Sequence, residues 1–257
     1  MKVADYLYYS QHSLSSFQTC PMKFKKRYID NLKWQGFLSD RIKRKIELGN
    51  AFHLCAYRYF SNIPITDIED VETLEKVTKL KEKFVIGEER KYYPEYKMRM
   101  VDSFYKIEAN IDLLIVNEDN SVEIWDWKTG NANEDKLRNS FQTILYMFIV
   151  YEQAERLLGV KLKAEDLSMS YWLLDKNVPD VKIYYSDDMH EQFRKKIANS
   201  INEIENFDIK DFEKDKYINS CKFCEYNWYC ETGEEKNIDF DESFDDILNW
   251  DDDEDDF

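Results

Sequence analysis

Long apolar runs are missing from these 257 residues. No stretch approaches the roughly 20 residues that span a bilayer, and no charged-then-apolar leader opens the chain. A soluble, intracellular protein without a membrane partner is therefore expected, with the cytoplasm as its place. Glycine is scarce, and none of the six glycines belongs to a G-x-x-x-x-G-K-[ST] loop. A P-loop motor would have to be supplied by another protein. No internal repeat is apparent. Cysteine is present as an odd number, five, which argues against a disulfide framework and for metal or redox chemistry in a reducing compartment.

What is abundant is hydrophobic and acidic. Hydrophobic residues make up 43% and aromatics 16%, enough to build a sizeable core, so global disorder is not expected. The formal net charge of −16 looks wrong for a nucleic-acid enzyme until it is located. Residues 231–257 hold fourteen acidic residues and one lysine, which is −13, leaving −3 for residues 1–230. A nearly neutral body can still present a basic groove, so the overall acidity does not exclude DNA.

Periodicity gives the element order. The run from Ser13, with hydroxyl caps before an apolar-periodic stretch, predicts a helix reaching toward residue 28. Further helices are predicted over 42–60 and 67–86. Strand-like alternation follows at 92–100, 104–116 and 122–128, the last two joined through Asn117-Glu118-Asp119-Asn120. A long amphipathic helix is expected over 136–158, then strands 168–174 and 181–185 and a helix 187–206. This order predicts a mixed α/β fold around one sheet. One domain is expected over 1–232, followed by an acidic, disordered tail over 233–257.

Chemistry concentrates at the end of the third strand, Ile124-Trp125-Asp126-Trp127-Lys128-Thr129-Gly130. Period-two geometry puts Asp126 and Lys128 on one face. Such a pair suits a site in which the carboxylate holds a divalent ion and the ammonium steadies a water or a phosphate. In isolation the same pattern fits a surface ion pair. Asp112 sits in the aliphatic setting Ile111, Leu113, Leu114, Ile115, where a carboxylate is costly unless paired or ligating. Antiparallel pairing across the turn would bring Asp112 and Asp126 to one ion, with Mg²⁺ or Mn²⁺ the fitting choice. His53, on an apolar and aromatic helix, reads either as a satisfied core histidine or as a ligand. Gln142 and Tyr146, four apart, share a helix face.

Taken in order, Gly49 to His53, Ala109 to Asp112, Asp126 to Gly130 and Gln142 to Tyr146 resemble the G-x-x-x-H, G-x-I-D, D-x-K-T-G and Q-x-x-x-Y motifs of RecB-like nucleases of the PD-(D/E)XK superfamily. AddB-type and CRISPR-adaptation nucleases belong to that branch. The opening Leu14-Ser15-Ser16-Phe17 with Cys20-Pro21 is similar as well, so the resemblance covers about residues 10–232. Ala109 departs from it, standing where glycine is usual. The resemblance implies a restriction-endonuclease-like core, a central mixed sheet flanked by helices, with a helical N-terminal part and an iron–sulfur C-terminal flap. It implies hydrolysis of DNA phosphodiester bonds, as an exonuclease on single strands or ends, in recombination, repair, replication or CRISPR adaptation. A catalytically weak, DNA-end-binding assembly subunit is the alternative. His53, Asp112, Asp126 and the Trp127 carbonyl would hold the catalytic metal, and Lys128 would position the water. Gln142 and Tyr146 would contact the strand or support the site. Glu95, on the preceding strand, stands where a glutamate is frequent.

Cys221, Cys224 and Cys230 form C-x₂-C-x₅-C, and Cys20 is the available fourth ligand. Four thiolates hold zinc as readily as a 4Fe–4S cluster. The resemblance to AddB-type nucleases implies the cluster. Cys55 remains as a buried free thiol. Lys222, Phe223, Tyr226, Trp228 and Tyr229 would either stack on bases or pack around the cluster. Lys23, Lys25, Lys26 and Arg27 are candidates for phosphate contacts. The acidic run closing on Phe257 resembles the C-terminal tips of single-strand DNA-binding proteins. It would serve a protein partner, this chain's own DNA groove, or solubility alone.

Overall fold

Helix α1 (Gln11–Thr19) starts where the Ser10 side chain accepts the Ser13 N–H. The computed structural model describes residues 7–32, 40–66, 68–102, 105–128, 133–174, 178–221, 224–227 and 230. The helix expected to reach residue 28 breaks at Cys20, whose φ of −168° and ψ of 120° are extended. Pro21 is the reason, because its ring disfavours the α region for the residue before it. Pro21 then opens α2 (Pro21–Phe24), which passes into a π-helical turn over Lys25–Ile29.

Helices α3 (Asp40–Phe60) and α4 (Val71–Lys83) follow, the latter capped by Asp70 accepting the Thr73 N–H at 2.9 Å. The strands are β1 (Lys91–Val101), β2 (Lys106–Val116) and β3 (Val122–Lys128). Helices α5 (Glu134–Asn139) and α6 (Phe141–Leu158) come next. The single helix expected over 136–158 is split because Ser140 takes an extended conformation and caps α6 by accepting the Thr143 N–H. Gly159, at a φ of 71°, ends α6 in the left-handed region that glycine enters without penalty. Strands β4 (Leu167–Leu173) and β5 (Val181–Tyr184), helix α7 (Asp187–Asn206) and short helix α8 (Ile218–Cys221) complete the order.

The sheet runs β1-β2-β3-β4-β5, antiparallel except where β3 and β4 pair in parallel. Parallel neighbours need a crossover, and α5 and α6 are that crossover. The mixed α/β expectation therefore holds, with helices on both faces. Against one face lies the larger core, in which α6 packs Leu145, Phe148 and Ile149 with Leu14 of α1 and Ile197 of α7. Against the other, Phe52 and Phe60 of α3 and Leu80 of α4 pack with Trp127 and Trp172.

The alternation of β1 and β2 changes phase partway along both strands. Ile107, Ala109 and Ile111 join the larger core, but so do Leu114 and Val116, while Leu113 and Ile115 join the smaller one. On β1, Tyr96, Met98 and Met100 belong to the larger core together with Tyr93, whereas Tyr92 packs on the smaller. The register is unaffected, running through Pro94↔Leu113 and resuming at Tyr96↔Ile111. The phase therefore shifts at Glu95 and Asp112, which stand opposite one another. Glu95 has a φ of 47°, a left-handed backbone that a glutamate adopts only where its surroundings over-determine it.

Candidate metal centre

The phase shift places two carboxylates where α3 delivers a histidine. His53 Nδ1 lies 3.0 Å from Glu95 Oε1 and 3.8 Å from Asp112 Oδ1. One ligand atom from each of the three falls within 4.8 Å of the others. Their side chains are 13–27% exposed, so an ion can reach them from solvent. The second oxygen of Asp112 accepts the Trp127 N–H at 2.8 Å, which pins the carboxylate to β3.

Asp126 is buried next to this group. Its Oδ1 accepts from Gln142 Nε2 at 2.5 Å, and its Oδ2 lies 3.1 Å from Lys128 Nζ. Asp126 and Lys128 are both nine-tenths buried or more, on one face of β3 as period two requires. Gln142 and Tyr146 lie one turn apart on α6, both buried, and Gln142 spends its amide on Asp126.

The charges bear on one another across the site. Burial pushes the Asp112 carboxyl up to about 6, with Glu95 adding to it and His53 opposing. Burial alone would lower the His53 imidazole, but Asp112, Glu95 and Asp126 hold its proton, up to about 9. The Tyr146 hydroxyl is raised by burial first, then by Asp126 and Asp112. The Asp112 and Asp126 carboxylates thus both act on His53 and on Tyr146.

The donors suit a hard divalent ion. An imidazole and two carboxylates crowd one point, and one carboxylate resists ionisation there while the imidazole holds a proton. A cation relieves that crowding. The motifs predict His53, Asp112, Asp126 and the Trp127 carbonyl as ligands. The set that the fold brings within one another's reach is His53, Glu95 and Asp112, with Asp126 turned toward Lys128 and Gln142. Trp127 meets the site through its backbone N–H, and its indole packs against Phe52, Phe60, Phe84 and Trp172. Glu95 carried the weakest sequence signal of the three, because plain alternation does not place a residue whose backbone reverses the pleat. Thr129 and Gly130 of the motif lie outside the described residues.

A second cluster joins the two ends of the described chain. Tyr226 donates its hydroxyl to the Leu32 carbonyl at 2.6 Å, and Lys23 meets Glu225 at 3.1 Å. Cys20 is buried. The Cys224 thiol is pushed up to about 12 by burial first, with Glu225 and Cys20 adding to it. Burial also raises Cys221 and Cys230, and Cys20 adds to both. Cys20 thus stands near enough to act on all three thiols that lie two hundred residues on. Of the cations after Cys20, Lys23 faces Glu225 and Lys25 holds Asp30 at 2.6–2.7 Å, so neither faces solvent as a bare charge. Cys55 is buried in the smaller core. Lys222, Phe223, Trp228, Tyr229 and the acidic tail to Phe257 lie outside the described residues. Also among the described residues, no helix is long and apolar enough to cross a membrane.

No curated protein matches the chain. Eleven chains of solved structures do. One of them, described as "Crystal structure of SSO0001", shares 14% identity over 91% of this chain and 90% of that one. The two superpose with a TM-score of 0.46. The profile of one family spans residues 8–231, from the strand-like bridge at Tyr9 to the last cysteine. With residues 8–231 matched, the chain belongs to the PD-(D/E)XK nuclease superfamily.

Proposed function

We propose that the protein hydrolyses DNA phosphodiester bonds with Mg²⁺ or Mn²⁺ held by His53, Glu95 and Asp112, and that Asp126 and Lys128 complete the site. The observation that carries this reading is the meeting of three ligand atoms beside a buried carboxylate–ammonium pair. A divalent ion bound there supplies Lewis acidity toward a phosphoryl oxygen and lowers the pKa of a bound water. The chain's own residues do the rest. Lys128, held against Asp126 in a buried setting, presents its ammonium to charge that develops on the phosphate and orients the attacking water. Gln142 fixes the Asp126 carboxylate from behind. Trp127 fixes Asp112.

End-labelled linear DNA and closed circular DNA, single- and double-stranded, incubated with and without Mn²⁺, test this directly. Metal-dependent loss of linear substrate alone indicates an exonuclease, the mode favoured here by the RecB-like order of motifs. Cutting of circles indicates an endonuclease. DNA binding without cleavage under any of these conditions would instead support an assembly subunit of a larger nuclease or helicase complex.

Because Gln142 is buried against Asp126, it acts through that carboxylate. Gln142→Leu is expected to lower kcat by about 10- to 100-fold, the usual cost of losing a supporting partner, while KM for DNA stays near that of the parent. A raised KM with kcat unchanged would place Gln142 on the DNA instead.

Cys20, Cys221, Cys224 and Cys230 are proposed to hold a 4Fe–4S cluster that ties the N-terminal helices to the C-terminal segment. Support comes from the Tyr226–Leu32 and Lys23–Glu225 links, which join the two segments, and from the action of Cys20 on each of the other three thiols. Protein prepared without oxygen is expected to be brown with visible absorbance, and Cys20→Ser to lose the colour. A colourless parent carrying zinc would replace the cluster with a zinc staple. The acidic tail is proposed to dock on a basic patch of a protein partner, with Phe257 in a pocket.

A further inference from the structure

Helix α3 changes chemistry along its length without changing its period. Cys55, Phe52 and Leu48 form a buried stripe at steps of three and four, with Phe52 and Cys55 in the smaller, sheet-facing core. Continued toward the N-terminus by three and four residues, the same stripe meets Lys45 and Arg41, both exposed. A helix that stayed on the core would carry apolar residues at these positions. Here it runs past the core, and its leading turns expose Arg41, Lys43, Arg44 and Lys45 beside Asp40, Glu47 and, from α4, Asp70, which pairs with Arg44.

Two features give this overhang a direction. Arg44 pairs with Asp70 at the N-cap of α4, which braces the projecting turns. The stripe runs beside His53 on the same rigid helix. At about 1.5 Å per residue, Lys45 lies ~12 Å and Arg41 ~18 Å up the helix from His53. At ~3.4 Å per stacked nucleotide, those distances correspond to roughly three to five nucleotides of one strand.

We propose that the projecting turns of α3 carry the phosphate backbone of the substrate strand, with Arg41 and Lys45 as positioning residues that lead it to the group at His53, Glu95 and Asp112. The inference rests on the hydrolytic reading above for its substrate class, and deepens it by naming the track. Polyanion binding there matches the local excess of cations, although the chain as a whole is acidic.

The test is equilibrium binding of a fluorescent single-stranded DNA of about twelve nucleotides to the full chain in EDTA, over a series of salt concentrations. Two lost contacts on a single strand should reduce the slope of log K against log salt by about 1.4. Arg41→Gln/Lys45→Gln is therefore expected to show that smaller slope and at least ~10-fold weaker binding at low salt. Lys79→Gln/Lys81→Gln, two exposed cations of α4 outside the projecting turns of α3, should keep the slope of the parent. Thermal melting checks that both variants fold, as exposed substitutions should. Parental slope and affinity in the α3 variant, or an equal loss in the α4 control, would overturn the track. A parent that binds with this dependence on α3 yet never cleaves with Mn²⁺ would sink the hydrolytic reading and leave the track standing.

Discussion

The Asp112→Asn protein is expected to hydrolyse DNA about 10³-fold more slowly than the parent at saturating Mn²⁺, with its fold intact. Asparagine keeps the shape of the side chain, and its oxygen can still accept the Trp127 N–H, so the β2–β3 link survives. What it removes is the charge that draws a cation to His53 and Glu95. The same change should leave the metal-free protein melting no lower than the parent. Without an ion, Asp112 is a partly buried carboxylate beside Glu95, and crowded like charges gain from neutralisation. Lost activity with retained stability is the signature of a functional site that sits at a cost to the fold. Initial rates over a Mn²⁺ titration, with a melting curve in EDTA, supply both numbers. Parental rates would remove Asp112 from the site, and a collapse in melting would recast it as structural.

The converse is expected of Phe148→Ala. Phe148 is fully buried near the middle of α6, stacked on His190 at 5.2 Å between ring centroids and edge-on to Tyr105 at 6.2 Å. Deleting a buried phenylalanine costs about 3–5 kcal/mol, from lost transfer energy and the cavity left behind. Against a total of roughly 5–15 kcal/mol for a domain, that loss is a large share. Urea unfolding should show the midpoint falling with the slope unchanged. Hydrolysis per folded molecule should stay within a few-fold of the parent, because Phe148 points to the larger core and the metal group lies at the β1–β2 phase shift. A loss below ~1 kcal/mol would mean that the helix–sheet core repacks around the gap.

Much of this architecture was legible in the residues themselves. Alternation located β3 to the residue, and with it the shared face of Asp126 and Lys128, because a strand's geometry has one period and the turn before it is short. The helix carrying His53 and the one over 187–206 followed from apolar spacing. The breaks at Cys20 and Ser140 were written locally, in a proline and in a capping serine, yet apolar periodicity ran straight through both and masked them.

The sequence by itself determined the order of elements, the inventory of metal-seeking side chains and the chemistry they suit, since these depend on residue type and near-neighbour spacing. Tertiary structure alone decided which carboxylates share a point with His53. Glu95 joins it only because its backbone reverses at a φ of 47° while β2 shifts phase opposite it, and Asp126 stands beside the group, held by Lys128 and Gln142. No pattern of hydrophobic and polar residues encodes that meeting. It arises from the balance between two packed faces of a sheet and the desolvation of the charges caught between them.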